Sequence, residues 1–279
     1  MNALAPLALV LPLAAALGLL AVGSHLPRGF KDLATIAVVT THGVAAGLLT
    51  QRALERPFTL WMAGWSPRGG HAIGIPLVVD AASAGLMAVA SLLTLVAFLL
   101  ARRHFHEIDD LFAALMLLVL AGITGFLLSG DLFDQYVFLE LAAVPAYAIT
   151  AYRVQSPGPL VGAINYAITS SVGSTLFLLG IGLVYARAGT LALAEIGRQL
   201  DATPDPAVTA GFGLVVAALL VKSAAVPFHF AHVEAHTVAP TPALVVFAGI
   251  YDARSQAQST LNAAYAAGFS SAYVRQIAQ

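Results

Sequence analysis

The sequence predicts an all-α fold: a polytopic transmembrane bundle of about seven or eight helices, with a broken seventh helix and a short interfacial hairpin. Three observations predict it. Of 279 residues, 59% are hydrophobic and only 10% are charged, and the mean hydropathy is +0.86. Soluble domains carry about 25% charged residues, so this chain cannot cover a globule with polar surface. The apolar residues also fall into runs of the length that crosses a bilayer, about 20 residues. Finally, proline and polar residues interrupt the run after 207, as in a helix broken within the membrane.

Eight segments qualify or nearly qualify as spans: roughly 4–23, 31–51, 75–101, 110–129, 132–152, 160–186, 207–230 and 239–251. The last is short for a span and reads as a truncated or re-entrant helix. The first lacks the Lys or Arg that opens a secretory signal, so it reads as a retained helix. Residues 52–74 contain Phe58, Thr59, Leu60 and Trp61, then Pro67 and the Gly69–Gly70 pair. This suits a hairpin with Trp61 and Trp65 at headgroup level. Residues 188–206 space Leu191, Leu193, Ile196 and Leu200 as a short amphipathic surface helix, with Pro204 and Pro206 beyond. Residues 1–251 form the bundle. Residues 252–279, rich in Ala, Ser and Gln, form a polar C-terminal tail.

Charge sets the orientation. Arg28, Lys31, Arg102, Arg103 and Arg153 fall in short loops on one side. Arg52, Arg56, Arg68, Arg187 and Arg198 fall on the other, in longer loops that also hold Glu55, Glu195, Asp201 and Asp205. Short basic loops stay inside, which puts the N-terminus outside in a cell inner (plasma) membrane. A net charge of −1 without a basic run excludes nucleic acid as a partner. The absence of cysteine excludes thiolate catalysis and cysteine-held clusters in this chain. No phosphate-binding glycine loop or dinucleotide fingerprint occurs, so no cofactor is expected.

The chemistry is sought among charges that cannot reach an interface, because these are costly in a membrane. Glu140 is the ninth residue of its segment, roughly 13 Å along the helix. Pro145 follows and frees a backbone carbonyl nearby. The competing reading is a neutral glutamic acid that only joins helices. Lys222 lies fifteen residues beyond Ala207, with Pro227 five residues later. Its competing reading is a lysine that snorkels to an interface. Together they are one acid and one base deep in separate helices. Desolvation disfavours a charged amine and a nearby carboxylate favours it, so a lysine balanced between them can load and release a proton.

Further candidates surround this pair. His229, His232 and His236 share one face if their segment is helical, with Glu234 among them. A hydrated histidine path feeding Lys222, a metal site and plain interfacial polarity all remain open. The spacing is not that of an HExxH metal motif, and no metal is expected. Asp80, near the start of the third segment, either caps locally or joins the path. Asn165, Thr169, Ser170, Ser171 and Ser174 accompany Gly173 on the sixth segment. They suit close helix packing, and such hydroxyls also hold water. His104 and His106 sit among charges and read as a solvated loop.

These stretches resemble the antiporter-like membrane subunits of respiratory complex I, Mrp-type cation/proton antiporters (their D subunit especially) and membrane-bound hydrogenases. GIPLVVDAASAGLMAVASLLTLVAF resembles the family's third helix, and SGDLFDQYVFLELAAVPAYAITAY its fifth, with Glu140 at the family's glutamate. AINYAITSSVGSTLFLLGIGLVYARAGTLALAEI resembles the sixth. VKSAAVPFHF and HTVAPTP bracket the broken seventh, with Lys222 at the family's lysine. The resemblance covers roughly residues 70–250. It implies proton or cation/proton translocation through a Glu–Lys relay, with H+ or Na+ as the ion. It also implies partner membrane subunits and no catalysis by the chain alone, which would serve an NADH dehydrogenase, hydrogenase or antiporter complex. Two departures stand out: FHFAHVEAH replaces the family's FHFWLPDAH, and the sequence after Ile250 is polar. The second inverted repeat is missing, so the chain resembles the N-terminal half only. The alternative function is a truncated, non-transporting membrane scaffold.

Overall fold

Ten α-helices, two short 3-10 turns (Gly23–His25 and Met62–Gly64) and one two-stranded hairpin make up the regular structure of the described part of the chain. A computed structural model describes residues 3–65, 74–104, 110–152, 157–199, 205–225 and 228–248. The tail 252–279 therefore lies outside the described residues, as do Pro67, His106 and Pro227.

Six helices are long and apolar enough to cross a membrane: α1 (Leu4–Val22), α2 (Arg28–Glu55), α3 (Ala81–His104), α4 (Asp110–Leu128), α5 (Leu132–Thr150) and α6 (Pro157–Ala188). The chain is a multi-span membrane protein. Four shorter helices follow: α7 (Leu193–Gln199), α8 (Pro206–Lys222), α9 (Phe230–Val238) and α10 (Thr241–Ala248). Leucine, isoleucine and valine side chains such as Leu17, Val144 and Ile168 are exposed along the spans. Lipid-facing surface requires such residues, because only closed backbone and apolar side chains are stable in hydrocarbon.

The expected third span is shorter than 75–101. Pro76–Val79 is strand β2, paired antiparallel with β1 (Phe58–Trp61) in the register Phe58 to Val79 and Trp61 to Pro76. The hairpin thus uses residues beyond 74. Pro76 and two adjacent valines favour extended backbone, and Asp80 then opens the helix. Its carboxylate accepts the Ser83 N–H at 2.7 Å, and its own N–H donates to Ser83 Oγ at 3.1 Å. This reciprocal cap satisfies donors that a helix start leaves unpaired.

Backbone pairing ties the turns at this end together. Gly130 N–H donates to Pro76 O at 2.9 Å, and Leu193 N–H donates to Gly130 O at 2.9 Å. The hairpin, the α4–α5 turn and the start of α7 therefore form one cap. At the other end, Lys31 pairs with Asp110 and Arg102 with Asp32. The first turns of α2 thus meet the end of α3 and the start of α4.

The expected 207–230 helix is also interrupted. Asp205 caps α8, its Oδ1 accepting from Ala207 N at 2.8 Å, and Pro206 occupies the first turn, where no N–H is needed. The helix stops at Lys222. Ser223 and Ala224 turn, and Ala224 takes the left-handed φ of 56°. For a residue with a Cβ this costs roughly 1–2 kcal/mol. Helical structure resumes only at α9. The α7 helix is likewise shorter than the expected 188–206.

Close packing of α6 against α8 depends on glycine. A Cβ on Gly180 would lie 2.5 Å from the Gly211 carbonyl oxygen, and one on Gly173 3.2 Å from that of Ala218. The α4–α5 pair is equally tight, with a Gly122 Cβ falling 2.5 Å from Ala142 N. Small residues let membrane helices approach until backbone touches backbone.

Candidate functional site

Lys222 closes α8, so the carbonyl end of the helix faces its ammonium group favourably. The Gly173 contact brings α6 alongside, and α5 supplies Glu140 from its middle. Lys222 Nζ donates to Glu140 Oε1 at 2.7 Å and to Ser170 Oγ at 3.0 Å. Ser174 Oγ donates to the same carboxylate oxygen at 2.5 Å, and lies 3.0 Å from Ser170 O. The Lys222 side chain is 7% exposed and that of Glu140 28%. Acid and base, distant in sequence, therefore form one ion pair among apolar helices.

Such a pair stands only when the charges are matched and further hydrogen bonds complete their shells. The two serines do this. Both lie on the polar row of α6, whose composition alone is equally consistent with helix packing. The structure gives the row both tasks, since Gly173 between the serines makes the close contact. Ser171 and Thr175, on the outer side, instead donate to the carbonyls four residues back at 2.7 and 2.9 Å. Such back-bonding satisfies a hydroxyl that faces lipid.

The histidine group divides. His229 precedes α9 as its N-terminal cap position, and its ring lies 4.4 Å from that of Phe230. His236 is half-buried within α9. His232 and Glu234 are in the same helix, but their side chains lie outside the described residues. His229 has helical backbone angles, φ −69° and ψ −19°, and its carbonyl accepts the Val233 N–H at 3.0 Å, so the backbone from 229 to 236 keeps the expected helical spacing. Among the described residues no group of three metal-ligating side chains converges. Asp80 is engaged at the start of α3 with Ser83.

A second polar centre escapes a reading of charges alone. His42, in the middle of α2, is fully buried. Its Nδ1 lies 2.7 Å from Ser91 Oγ on α3 and its Nε2 3.0 Å from Thr124 Oγ1 on α4. Both hydroxyls also reach carbonyls, Met87 O and Leu120 O, at 2.7 Å. A histidine about 21 Å from Arg28 along an apolar helix was the available signal.

The family model described as NADH:quinone oxidoreductase/Mrp antiporter, TM, matches residues 129–257, a stretch that holds Glu140, Ser170, Ser174 and Lys222. The chain is 32% identical over 228 residues to the N subunit of the NADH-quinone oxidoreductase of Desulforudis audaxviator, covering 80% of this chain and 44% of that protein. It is 33% identical over 188 residues to the D subunit of a probable K(+)/H(+) antiporter of Rhizobium meliloti, covering 64% and 34%. A chain in the structure of the Mrp complex from a Dietzia species superposes with a TM-score of 0.78 at 30% identity, covering 95% and 48%. The chain spans less than half the length of each of these three. Motif order, fold and sequence agree: the chain belongs to the antiporter-like membrane subunit family shared by NADH:quinone oxidoreductases and Mrp antiporters.

Proposed function

We propose that the chain is a membrane subunit of a proton- or cation/proton-translocating complex, in which H+ moves through a relay of Glu140 and Lys222. The observation that carries this reading is the buried pair itself: an amine 7% exposed, 2.7 Å from a carboxylate on another helix. The names of the relatives support the same chemistry, since one belongs to a quinone oxidoreductase and another to a K(+)/H(+) antiporter. The partners are other membrane subunits, and the ion is H+, or Na+ exchanged against it. The chain lies in the plasma membrane with its N-terminus outside.

The relay works by changing the counter-charge. With Glu140 ionised and Ser170 accepting, the ammonium of Lys222 is held. When Glu140 takes up a proton or swings away, that ammonium is left in apolar surroundings, and releasing its proton relieves the cost. After Lys222 the helix ends in a turn whose N–H groups, from Ser223, Ala224 and Ala225, donate to Leu219, Val221 and Leu220 O, and the polar surface beyond this turn is where water would reach the relay. His229 and His236 (with His232 and Glu234 in the same helix) lie on the segment that follows and would feed this surface. Asp80 would serve at the outer mouth.

Lys222→Ala and Glu140→Gln should each abolish proton movement while the chain still inserts. Vesicles holding the chain with its partner subunits, read with a pH-sensitive dye, give the measurement. Unchanged flux in both variants removes the relay.

A further inference from the structure

Lys222 has two acceptors, and only one of them is the carboxylate. The other, Ser170 Oγ, is 2% exposed and belongs to a different helix from Glu140. Unlike Ser171 and Thr175, whose hydroxyls lie against the carbonyl one turn back, Ser170 is turned inward to receive the Lys222 N–H. A serine hydroxyl has one hydrogen and two lone pairs. Having accepted from Lys222, it can still donate.

The group beside it is Tyr147, seven residues after Glu140 and so on the same face of α5. Its Oη atom is buried, within electrostatic reach of the Ser170 hydroxyl and the Glu140 carboxylate but outside hydrogen-bonding geometry with either. Among the described residues that oxygen has no hydrogen-bond partner. A buried hydroxyl without a partner is costly, about 1–3 kcal/mol, and calls for an explanation. Its ring is held edge-on against Tyr166 of α6, with centroids 4.8 Å apart at 83°. The hydroxyl is therefore aimed by packing and not by a bond of its own.

We propose that Ser170 and Tyr147 are the next two members of the proton path beyond Lys222. This deepens the reading of Glu140 and Lys222 as a relay and rests on it. A small rotation of the phenol or of the serine hydroxyl closes the link. Lys222 then gives one N–H proton to Ser170 Oγ while the hydrogen already on Ser170 passes to Tyr147 Oη, and Tyr147 releases its own hydrogen to a water molecule that enters beside it. Each hydroxyl ends with one hydrogen, Lys222 ends as a neutral amine, and one proton has moved. Glu140 stays behind as the counter-charge for reloading. The path thus branches at the lysine, with the acid on one side and the hydroxyl pair on the other, which lets one amine load and unload in different directions.

The ionisable groups facing Tyr147 are Glu140 on its own helix, Tyr166 on α6 and, through Ser170, Lys222 on α8. From α9 the described ionisable residues are His229 and His236.

The test uses the full chain with its partner subunits in vesicles, and compares Tyr147→Phe, Ser170→Ala, Ser171→Ala and Lys222→Ala by dye-monitored proton flux. Tyr147→Phe keeps the ring and its contact with Tyr166, so it should fold and assemble, and flux should fall about tenfold or more. Ser170→Ala should match it, and Ser171→Ala should leave flux unchanged. Replacing Tyr147 by 3,5-difluorotyrosine, which retains the hydroxyl but makes it more acidic, should restore flux and move its pH profile to lower pH. A role in packing alone would not move that profile. Wild-type flux in Tyr147→Phe, with flux lost in Lys222→Ala, overturns the hydroxyl branch and leaves the relay standing. Wild-type flux in Lys222→Ala overturns the relay itself.

Discussion

Two polar centres lie within the helices of this chain, and they are built on opposite principles. At His42, three helices meet around a neutral ring whose two nitrogens touch Ser91 and Thr124. Each of those hydroxyls also lies within reach of a backbone carbonyl. A neutral imidazole has one donor and one acceptor, so one hydroxyl shares its hydrogen between ring and carbonyl, and no charge is involved. At Lys222, three helices meet around an ion pair with serine partners, and a tyrosine oxygen beside it is left without a bond. The first centre is closed in the sense that each of its polar side-chain atoms has a hydrogen-bond partner. The second is open. Burial of a polar side chain in a membrane bundle therefore does not by itself mark function. Under the relay proposed above, charge and an unfilled hydrogen-bonding position do.

The contrast can be broken by experiment, beginning with the largest effect. Removing one partner of a buried ion pair strands the other, which costs about 3–5 kcal/mol. Glu140→Ala should therefore destabilise the chain by that amount in denaturant titrations in detergent, and Glu140→Ala combined with Lys222→Ala should recover a good part of it. A double variant no more stable than the single one would mean the pair is not the stabilising unit. His42→Ala should cost about 2–3 kcal/mol, from the cavity and the lost ring contacts, because Ser91 and Thr124 keep their carbonyl partners. The flux–pH profile should keep its shape. A shifted profile would make His42 a proton carrier and erase the distinction between the two centres.

Gly180→Ala sharpens the comparison, because it acts on the open centre without touching it. The added methyl meets the Gly211 carbonyl at 2.5 Å, so α6 and α8 must separate at a cost of about 1–3 kcal/mol. Ser170 should move from Lys222, and flux should fall. Gly182→Ala, with nothing within 4 Å of the new atom, should change stability by less than about 0.5 kcal/mol. Equal losses in both would show that the close approach at Gly180 is not what matters, since alanine is the better helix former at either position.

The smallest effect belongs to the start of α8. Arg187 donates to Asp205, Nε lying 2.7 Å from Oδ2, and Ala207 N–H donates to the same carboxylate. Arg187 first and the helix N–H groups after it hold the Asp205 carboxyl below the usual carboxylate range. The stabilisation is thus present in full above the ordinary value of about 3.9 and is lost as pH falls through the lowered native value. Asp205→Ala should lower the thermal midpoint slightly at neutral pH, and the difference from wild type should shrink in acid. A difference that grows in acid would reverse the sign of this linkage.

Much of this was legible in the sequence because membrane insertion is severe about composition. A run of about 20 apolar residues can be little else than a span, so α1, α2, α4, α5 and α6 stand close to where their apolar runs fall. Glu140 and Lys222 were visible because charge in such runs is rare. Boundaries were less legible. Pro76–Val79 is as apolar as the helix after it, and only pairing with Phe58–Trp61 makes it a strand. The break in the helix after Pro206 was expected, but Pro227 pointed to a later position than the turn at Ala224, where α8 already ends.

By itself the sequence determined that the chain lives in lipid, where most of its spans fall and which two charges have to be explained, since all three follow from transfer energies summed along the chain. Tertiary structure alone decided that Glu140 and Lys222 touch, that Ser170 faces inward while Ser171 faces out, and that His42 is satisfied by hydroxyls from two other helices. Those facts depend on which helices become neighbours and at what distance. The glycines set that distance, where a missing Cβ lets backbone meet backbone, and no property of an isolated segment contains it.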